Sequence, residues 1–167
     1  MIKEVALADV RAELTGTRKT LERVPDDRFG WSPHARSFSL GELSTHLVNI
    51  LHWAEAVLKH DEFDMAESPL PREPLKTRAA LLNEFDRRET RVLESLDEIS
   101  DKELRADWVL RNGSQVVSRL PRVAALRLFV ISHMIHHRAQ LGIYLRLLGQ
   151  PVPGVYGPSA DETGAED

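Results

Sequence analysis

The chain has 167 residues and a net charge of −4, and 42% of its residues are hydrophobic; this predicts one folded domain and argues against a disordered protein. It contains no cysteine, which excludes disulfides, a cysteine nucleophile and cysteine metal ligands. Its basic residues are scattered among acids and its apolar runs are short, so we expect no nucleic-acid partner, no membrane partner and a cytoplasmic location.

Helical spacing of apolar residues begins close to the N-terminus and predicts a first helix over residues 3–23, which Pro25 ends. A second helix is predicted to begin after Ser39, an N-cap that forms a capping box with Glu42, three residues further on. Its apolar stripe continues to about His60, where this helix is predicted to end.

Residues 61–74 are acidic and rich in proline, so they predict a connection. Helical spacing resumes over residues 75–96, which predicts the third helix. The period is then lost, and residues 107–117 form two short apolar runs around Asn112-Gly113. Both positions of that dipeptide tolerate positive φ, so the segment predicts a β-hairpin with these two residues at its turn.

The last helix is predicted to carry Pro121 in its first turn and to run to about Leu148, with Gly149 as its stop. Four long amphipathic helices with a short hairpin insert before the last one predict an all-α fold, a four-helix bundle. We expect one domain over residues 1–160, followed by an acidic tail over residues 161–167. Bundles of this kind build metal sites from side chains on facing helices.

Two histidines of the last helix, His133 and His137, lie four residues apart, so both imidazoles share one face of it. That face is apolar, and a buried imidazole without a partner is costly. A divalent metal would satisfy both rings if a third ligand came from another helix; the alternative is that they are plain core histidines. His136 competes with His137, which we prefer because it points nearer the centre of the apolar face. His46, on the apolar side of the second helix, is the best third ligand, although an Asp or Glu from elsewhere is an alternative.

Residues beside the two histidines limit which reactions the site could catalyse. Met134 stands where the His-Glu-x-x-His motif of zinc peptidases has its general base, so we reject a peptidase. Arg138 is predicted to form a structural salt bridge, for which Glu42 is a candidate partner; a substrate carboxylate and plain surface charge are the alternatives. Gln140 could orient a ligand from outside the metal site. Trp53 and Tyr156 could line a pocket or merely pack, and Tyr144, which shares the face of the two histidines, could be a plain core residue.

Several pieces, in the same order along the chain, resemble the DinB/YfiT-like metalloenzyme family. They are Trp31-Ser32-Pro33, Ser39-Leu40-Gly41-Glu42-Leu43 leading to His46-Leu47, the stretch His133–Leu141, Tyr144–Leu147, Gly149–Pro153, and Tyr156-Gly157 through Asp161-Glu162. Together they span nearly the whole domain, and the ordered set is more specific than any one piece.

The resemblance implies a homodimeric bundle in which His46, His133 and His137 hold a divalent metal. All-nitrogen ligation suits Zn, Ni, Fe or Cu, and we expect Zn or Ni in the first place and Fe as a further choice. Family members include thiol-dependent S-transferases and a mycothiol-dependent isomerase, which implies reaction of a low-molecular-weight thiol with a small electrophilic substrate. Because the chain has no cysteine, that thiol would come from outside. The alternative is a non-catalytic metal-binding or stress-response protein, whose metal is structural or whose role is to bind a partner.

Overall fold

The computed structural model describes residues 2–67 and 73–164, so the ends of the predicted tail and part of the predicted connection lie outside the described residues. Seven α-helices occur in these ranges: α1 (Ile2–Leu21), α2 (Leu40–Lys59), α3 (Arg78–Glu98), α4 (Asp101–Arg105), α5 (Arg122–Ala125), α6 (His133–Leu147) and α7 (Ala160–Thr163). They are accompanied by three short strands: β1 (Glu62–Asp64), β2 (Asp107–Asn112) and β3 (Gln115–Pro121). The described chain is therefore mostly helical with one small sheet.

Side-chain caps decide where two of the long helices begin. The capping box predicted for Ser39 and Glu42 is present at the start of α2, with the Ser39 N–H donating to Glu42 Oε2 over 2.7 Å. At α3, the Thr77 hydroxyl accepts from the N–H of Ala80. This cap makes the helix begin at Arg78, three residues later than residue 75, where the apolar spacing had placed it.

The sheet has one strand more than predicted. The hairpin of β2 and β3 is present, but Asn112 pairs with Gln115, so its turn is Gly113-Ser114. The prediction of Asn112-Gly113 at the turn was wrong; Gly113 alone supplies the positive φ, 58°. β1 pairs in parallel with β2 through Phe63 and Leu110. It lies within the predicted connection, and its three residues are too few to show an alternating pattern.

The last long helix is not one regular α-helix. Pro121 ends β3 and precedes α5, so its predicted place in the first helical turn was wrong. Residues Leu126–Ser132 then form a π-helix, which we call the π segment, and it leads directly into α6. Gly149, with φ of 67°, follows the end of α6 as predicted.

The core lies around α2, which packs against α3, α6, the π segment and β1. Buried leucines and isoleucines occur on several sides of α2, as expected for a central helix. α1 lies on the other side of α6 and also contacts α3. No helix of the described ranges is both long and apolar enough to cross a lipid bilayer.

Candidate metal centre

Helices α2 and α6 bring three histidines into contact. His46 of α2 faces His133 and His137 of α6, and one nitrogen from each ring lies within 4.8 Å of the other two. The Nε2 atoms of His46 and His133 are 3.1 Å apart. The structure thus assembles the residues that the spacing and the family resemblance selected, although 87 residues separate His46 from His133 along the chain.

The neighbouring histidine, His136, points away from the three-histidine cluster. His136 is exposed, and its ring packs edge-on against the ring of His137 with 4.7 Å between the ring centroids. It is not among the residues of the three-histidine cluster. The choice of His137 over His136, made from helical direction, agrees with this geometry.

One of the α6 histidines, His137, has a side-chain hydrogen-bond partner. Gln140 Oε1 lies 2.7 Å from His137 Nδ1, so the ring N–H donates to the amide oxygen. In the neutral ring this bond leaves the lone pair of His137 on Nε2. The predicted role of Gln140 as an orienting residue fits this contact.

The three imidazoles are held in their neutral form. Burial, reinforced by the neighbouring His137 and His133, lowers the pKa of His46 to about 4. Burial also lowers the pKa of His133 and of His137, and for His137 the hydrogen bond that its ring donates to Gln140 acts in the opposite direction. Neutral imidazoles carry free lone pairs, so at neutral pH the cluster is ready to bind a cation.

Donor type and spacing fit a divalent metal ion. A tetrahedral zinc ion with Zn–N bonds of roughly 2.0–2.1 Å holds its nitrogen ligands about 3.3 Å apart. The Nε2 atoms of His46 and His133, 3.1 Å apart, already have nearly that separation. All three rings are only half-buried, so the cluster keeps a side from which a further ligand can approach.

Aromatic side chains border the cluster. Phe38, in the loop before α2, is 47% exposed, and its ring centroid lies 5.8 Å from that of His46 and 6.4 Å from that of His137. Its carbonyl accepts from the Tyr144 hydroxyl at 3.1 Å. The Tyr144 ring in turn packs edge-on against Trp31. The sequence reasoning missed Phe38, because an aromatic residue in a loop shows no periodicity that would reveal its neighbours.

Arg138 lies on the opposite side of α6 and belongs to a different cluster. Its guanidinium pairs with the Glu13 carboxylate of α1 at 2.7 Å and donates to the Tyr156 hydroxyl at 2.7 Å. The predicted salt bridge therefore exists, but its partner is Glu13, because Glu42 is engaged at the start of α2. Tyr156 also hydrogen-bonds Glu13, and burial together with that carboxylate raises the pKa of Tyr156.

Trp53 packs under the π segment and does not face the cluster's histidines. Its ring contacts Phe63 of β1 and Phe129 of the π segment, with centroid distances of 4.9 and 6.2 Å. Trp108 of β2 contacts Phe129 from the sheet at 6.0 Å. Of the two roles predicted for Trp53, lining a pocket or packing, the structure supports packing.

Sequence comparisons show which known proteins this chain resembles. The sequence profile of the DinB family matches residues 5–167. The uncharacterized protein YrdA of Bacillus subtilis is 22% identical over 151 residues, covering 90% of this chain and 85% of YrdA. The uncharacterized protein YjoA of the same organism is 26% identical over 137 residues, covering 80% of this chain and 82% of YjoA.

Solved structures share the fold. The crystal structure of the DinB-like YjoA from B. subtilis superposes with a TM-score of 0.70 at 19% identity, covering 90% of this chain and 96% of that one. A mycothiol-dependent maleylpyruvate isomerase superposes with a TM-score of 0.51 at 18% identity, covering 89% of this chain but 61% of the isomerase. Together with the profile match over nearly the full length, these findings show that the chain belongs to the DinB family.

Proposed function

We propose that this protein is a divalent-metal-dependent enzyme that joins an external low-molecular-weight thiol to a small electrophilic substrate. The observation that carries the proposal is the convergence of three neutral, half-buried imidazole nitrogens from α2 and α6. His46, His133 and His137 would hold the ion. Structural metal sites are closed by four protein ligands, whereas three nitrogen ligands leave a position for a substrate, as in catalytic sites.

A bound divalent cation would supply Lewis acidity that favours the thiolate over the thiol at neutral pH. The protein's own residues orient and shield the site. Gln140 holds the ring of His137 in place. Phe38 offers an apolar edge beside His46 and His137 against which an organic substrate can pack.

Two further observations support thiol chemistry. The chain contains no cysteine, so the nucleophilic sulfur must come with a co-substrate. The fold neighbour described above is a mycothiol-dependent isomerase, a protein whose name states its use of a small thiol. The proposal extends that dependence on a small thiol to this chain, and takes Zn or Ni, with Fe as a further choice, as the metal.

The proposal includes the architecture around the site. We infer that α1, α2, α3 and the continuous stretch of α5, the π segment and α6 form the four helices of one bundle, which explains why α1 and α2 each contact both α3 and α6. A homodimer belongs to the same proposal, and light scattering coupled to size-exclusion chromatography tests it.

The first test is metal content. Untagged protein, purified without a metal column, is analysed for bound elements before and after reconstitution, beside the double variant His46→Ala/His133→Ala. We expect near-stoichiometric metal in the parent protein and none in the double variant. The variant His136→Ala is the matched control, since it removes an exposed histidine of the same helix turn and should keep the metal.

The second test is thiol transfer. Metal-loaded protein is assayed with a panel of small thiols against electrophiles such as epoxides, activated alkenes and alkyl halides, with the double variant as background. Rate acceleration by the parent alone supports the proposal. Metal binding without acceleration across the panel would favour the alternative, a metal-binding or stress-response protein that is not an enzyme. A parent that binds no metal after reconstitution would overturn both.

A further inference from the structure

An apolar groove lies between the start of α1 and the stretch formed by α5 and the π segment. Its volume is about 480 Å³. Six apolar side chains line it, among them Val5 of α1, Val123 of α5 and Ile131 of the π segment, together with two charged ones, Asp9 and Arg127. No histidine lines the groove, so it is separate from the candidate metal centre.

The same surface carries a protruding apolar side chain. Val5 is 63% exposed, whereas Ala6 and Leu126, which also line the groove, are 6% and 1% exposed. Apolar surface is therefore left in contact with water on a ridge and in the depression beside it, and contiguous apolar surface of this kind marks interaction sites. A face that has both a ridge and a depression can pack against a copy of itself.

The two charged residues of the groove have opposite signs, and their side chains lack partners. Asp9 of α1 and Arg127 of the π segment are both exposed. Neither side chain forms an ion pair or a hydrogen bond with any residue of the ranges 2–67 and 73–164, and they do not pair with each other. By contrast, Arg18 of the same α1 helix pairs with Asp86 of α3 at 2.7 Å. The groove thus offers one acid and one base to a partner.

A second copy of the chain satisfies both charges by symmetry. If a two-fold axis passes between Asp9 and Arg127, the Asp9 side chain of each copy faces Arg127 of the other, because a two-fold contact joins each residue to its counterpart's neighbour. Val5 of each copy then packs against the apolar wall of the other. An unrelated partner would need its own basic and acidic groups at matching positions, so the charge pattern favours a second copy.

We propose that this groove is the surface through which two copies of the chain form a homodimer, with Asp9 of each copy paired to Arg127 of the other. The inference rests on the homodimer of the proposed function and adds the surface that forms it. The π segment leads directly into α6, whose first residue is His133. The partner copy would therefore pack on the turns that precede the metal-binding part of this helix.

Charge reversal tests the pairing. Asp9→Arg places like charges opposite each other in both symmetric contacts, and Arg127→Asp does the same. We expect each single variant to raise the dissociation constant of the dimer at least about tenfold, since juxtaposed like charges are costly. The double variant Asp9→Arg/Arg127→Asp restores opposite charges and should stay within about threefold of the parent. Sedimentation equilibrium at low salt, over a range of micromolar concentrations, measures the constant.

A mixture of the two single variants tests the two-fold arrangement itself. When an Asp9→Arg copy meets an Arg127→Asp copy, both contacts again join opposite charges. We expect a mixed dimer to form at concentrations where neither variant dimerises alone, and native mass spectrometry detects it because the two copies differ in mass. A mixture that stays as monomeric as its components would overturn the pairing.

The apolar part of the surface has its own matched pair of variants. Val5→Glu places a charge against the apolar wall and should raise the dissociation constant at least about tenfold. Ile143→Glu is the control, because Ile143 is an apolar side chain of α6 that is 62% exposed and lies outside the groove. A dimer that is broken by Ile143→Glu and unaffected by Val5→Glu would overturn the inference, since its interface would then lie on α6.

The outcomes separate this inference from the proposed function. A dimeric parent with equally dimeric charge-reversal variants would overturn the groove as the interface and leave the homodimer standing. A parent that is monomeric at every concentration would overturn both. Metal content, measured on the same samples, is a separate readout, because no residue of the groove belongs to the three-histidine cluster. If the parent binds no metal, the proposed metal-dependent function fails, while a dimer that responds to charge reversal would still support the groove as its interface.

Discussion

Two neighbouring residues of α6 belong to clusters of opposite chemical character, one made of bases and one built on an ion pair. His137 faces α2 and belongs to a cluster of three bases, whereas Arg138 faces α1 and pairs with an acid, Glu13. Arg138 and Glu13 are buried, whereas the three histidines are half-buried. The arginine cluster satisfies its own charge, so its role is to stabilise the fold. The histidine cluster brings lone pairs together, so a cation is what would satisfy it.

The arginine cluster also depends on how closely α1 approaches α6. A Cβ atom at Gly16 would lie 3.0 Å from the Arg138 Nη1 atom and 2.6 Å from Val155 Cγ1. Glycine is the residue that leaves this space open. The contact between the helices is therefore fitted around the guanidinium, and Arg138, which is 5% exposed, is part of the packed interior.

The largest expected effect comes from breaking the arginine cluster. Arg138→Met leaves the buried Glu13 carboxylate without a counter-charge, with the Tyr156 hydroxyl still donating to it, and loss of one partner of a buried ion pair costs about 3–5 kcal/mol. Urea denaturation in a chelator should show this loss of unfolding free energy. The double variant Glu13→Gln/Arg138→Met should recover most of it, because no unpaired charge is then buried. A single variant as stable as the parent would contradict the comparison.

Removal of a histidine should have the reverse effect: a large loss of metal affinity and a small loss of unfolding free energy. We expect His133→Ala to lose metal affinity by more than roughly a hundredfold, beyond the usual effect of an outer partner. In a chelator its unfolding free energy should stay within about 1 kcal/mol of the parent, since no buried charge is stranded. Calorimetric titration and urea denaturation measure the two quantities. A large loss of stability without metal would show that the cluster is also part of the fold's support.

Two variants of Gln140 test the same metal site, with a smaller expected loss of affinity. Gln140→Leu removes the acceptor for His137 Nδ1 and should lower Zn²⁺ affinity ten- to hundredfold. Gln140→Glu retains an acceptor oxygen and should bind at least as tightly as the parent. Equal affinity of the leucine and glutamate variants would mean that the 2.7 Å contact does not orient the ligand.

The smallest expected effect is a pH dependence of the metal-free protein. The pKa of His46 is about 4 in the folded chain against an ordinary value of 6.5, so between these values the unfolded chain binds a proton that the folded chain does not. Stability should be complete above pH 6.5 and decline as the pH falls towards 4. Denaturation midpoints in a chelator should show a flatter profile for His46→Gln, whereas His34→Gln, in an exposed loop, should follow the parent. Parallel profiles for all three would contradict the desolvation of His46.

Much of the helical layout could be predicted from the sequence, because it depends on local pattern. The 3.6-residue spacing indicated the long helices, and the Ser39–Glu42 capping box marked the start of α2 correctly. The pair His133 and His137 followed from helical direction alone. The choice of His46 required either the family resemblance or the fold, since no local rule connects positions 87 residues apart.

The features that escaped prediction have nonlocal causes. β1 exists because Phe63 finds a partner strand almost fifty residues later. The π segment has no signature in the composition of residues 126–132, and its Phe129 ring packs against Trp53 of α2 and Trp108 of the sheet, which are far away in the sequence. The partner of Arg138 was missed because several helices offer acids, and only the packing of α1 against α6 selects Glu13.

The sequence by itself therefore determined which residues are helical, which faces are apolar and which histidines share a face, because these depend on residues a few positions apart. Only the tertiary structure decided which groups meet: His46 with the α6 histidines, and Glu13 with Arg138. The physical reason is that hydrogen bonds and metal ligation act over about 2–4 Å, so they depend on the register of packed helices, which no local pattern specifies.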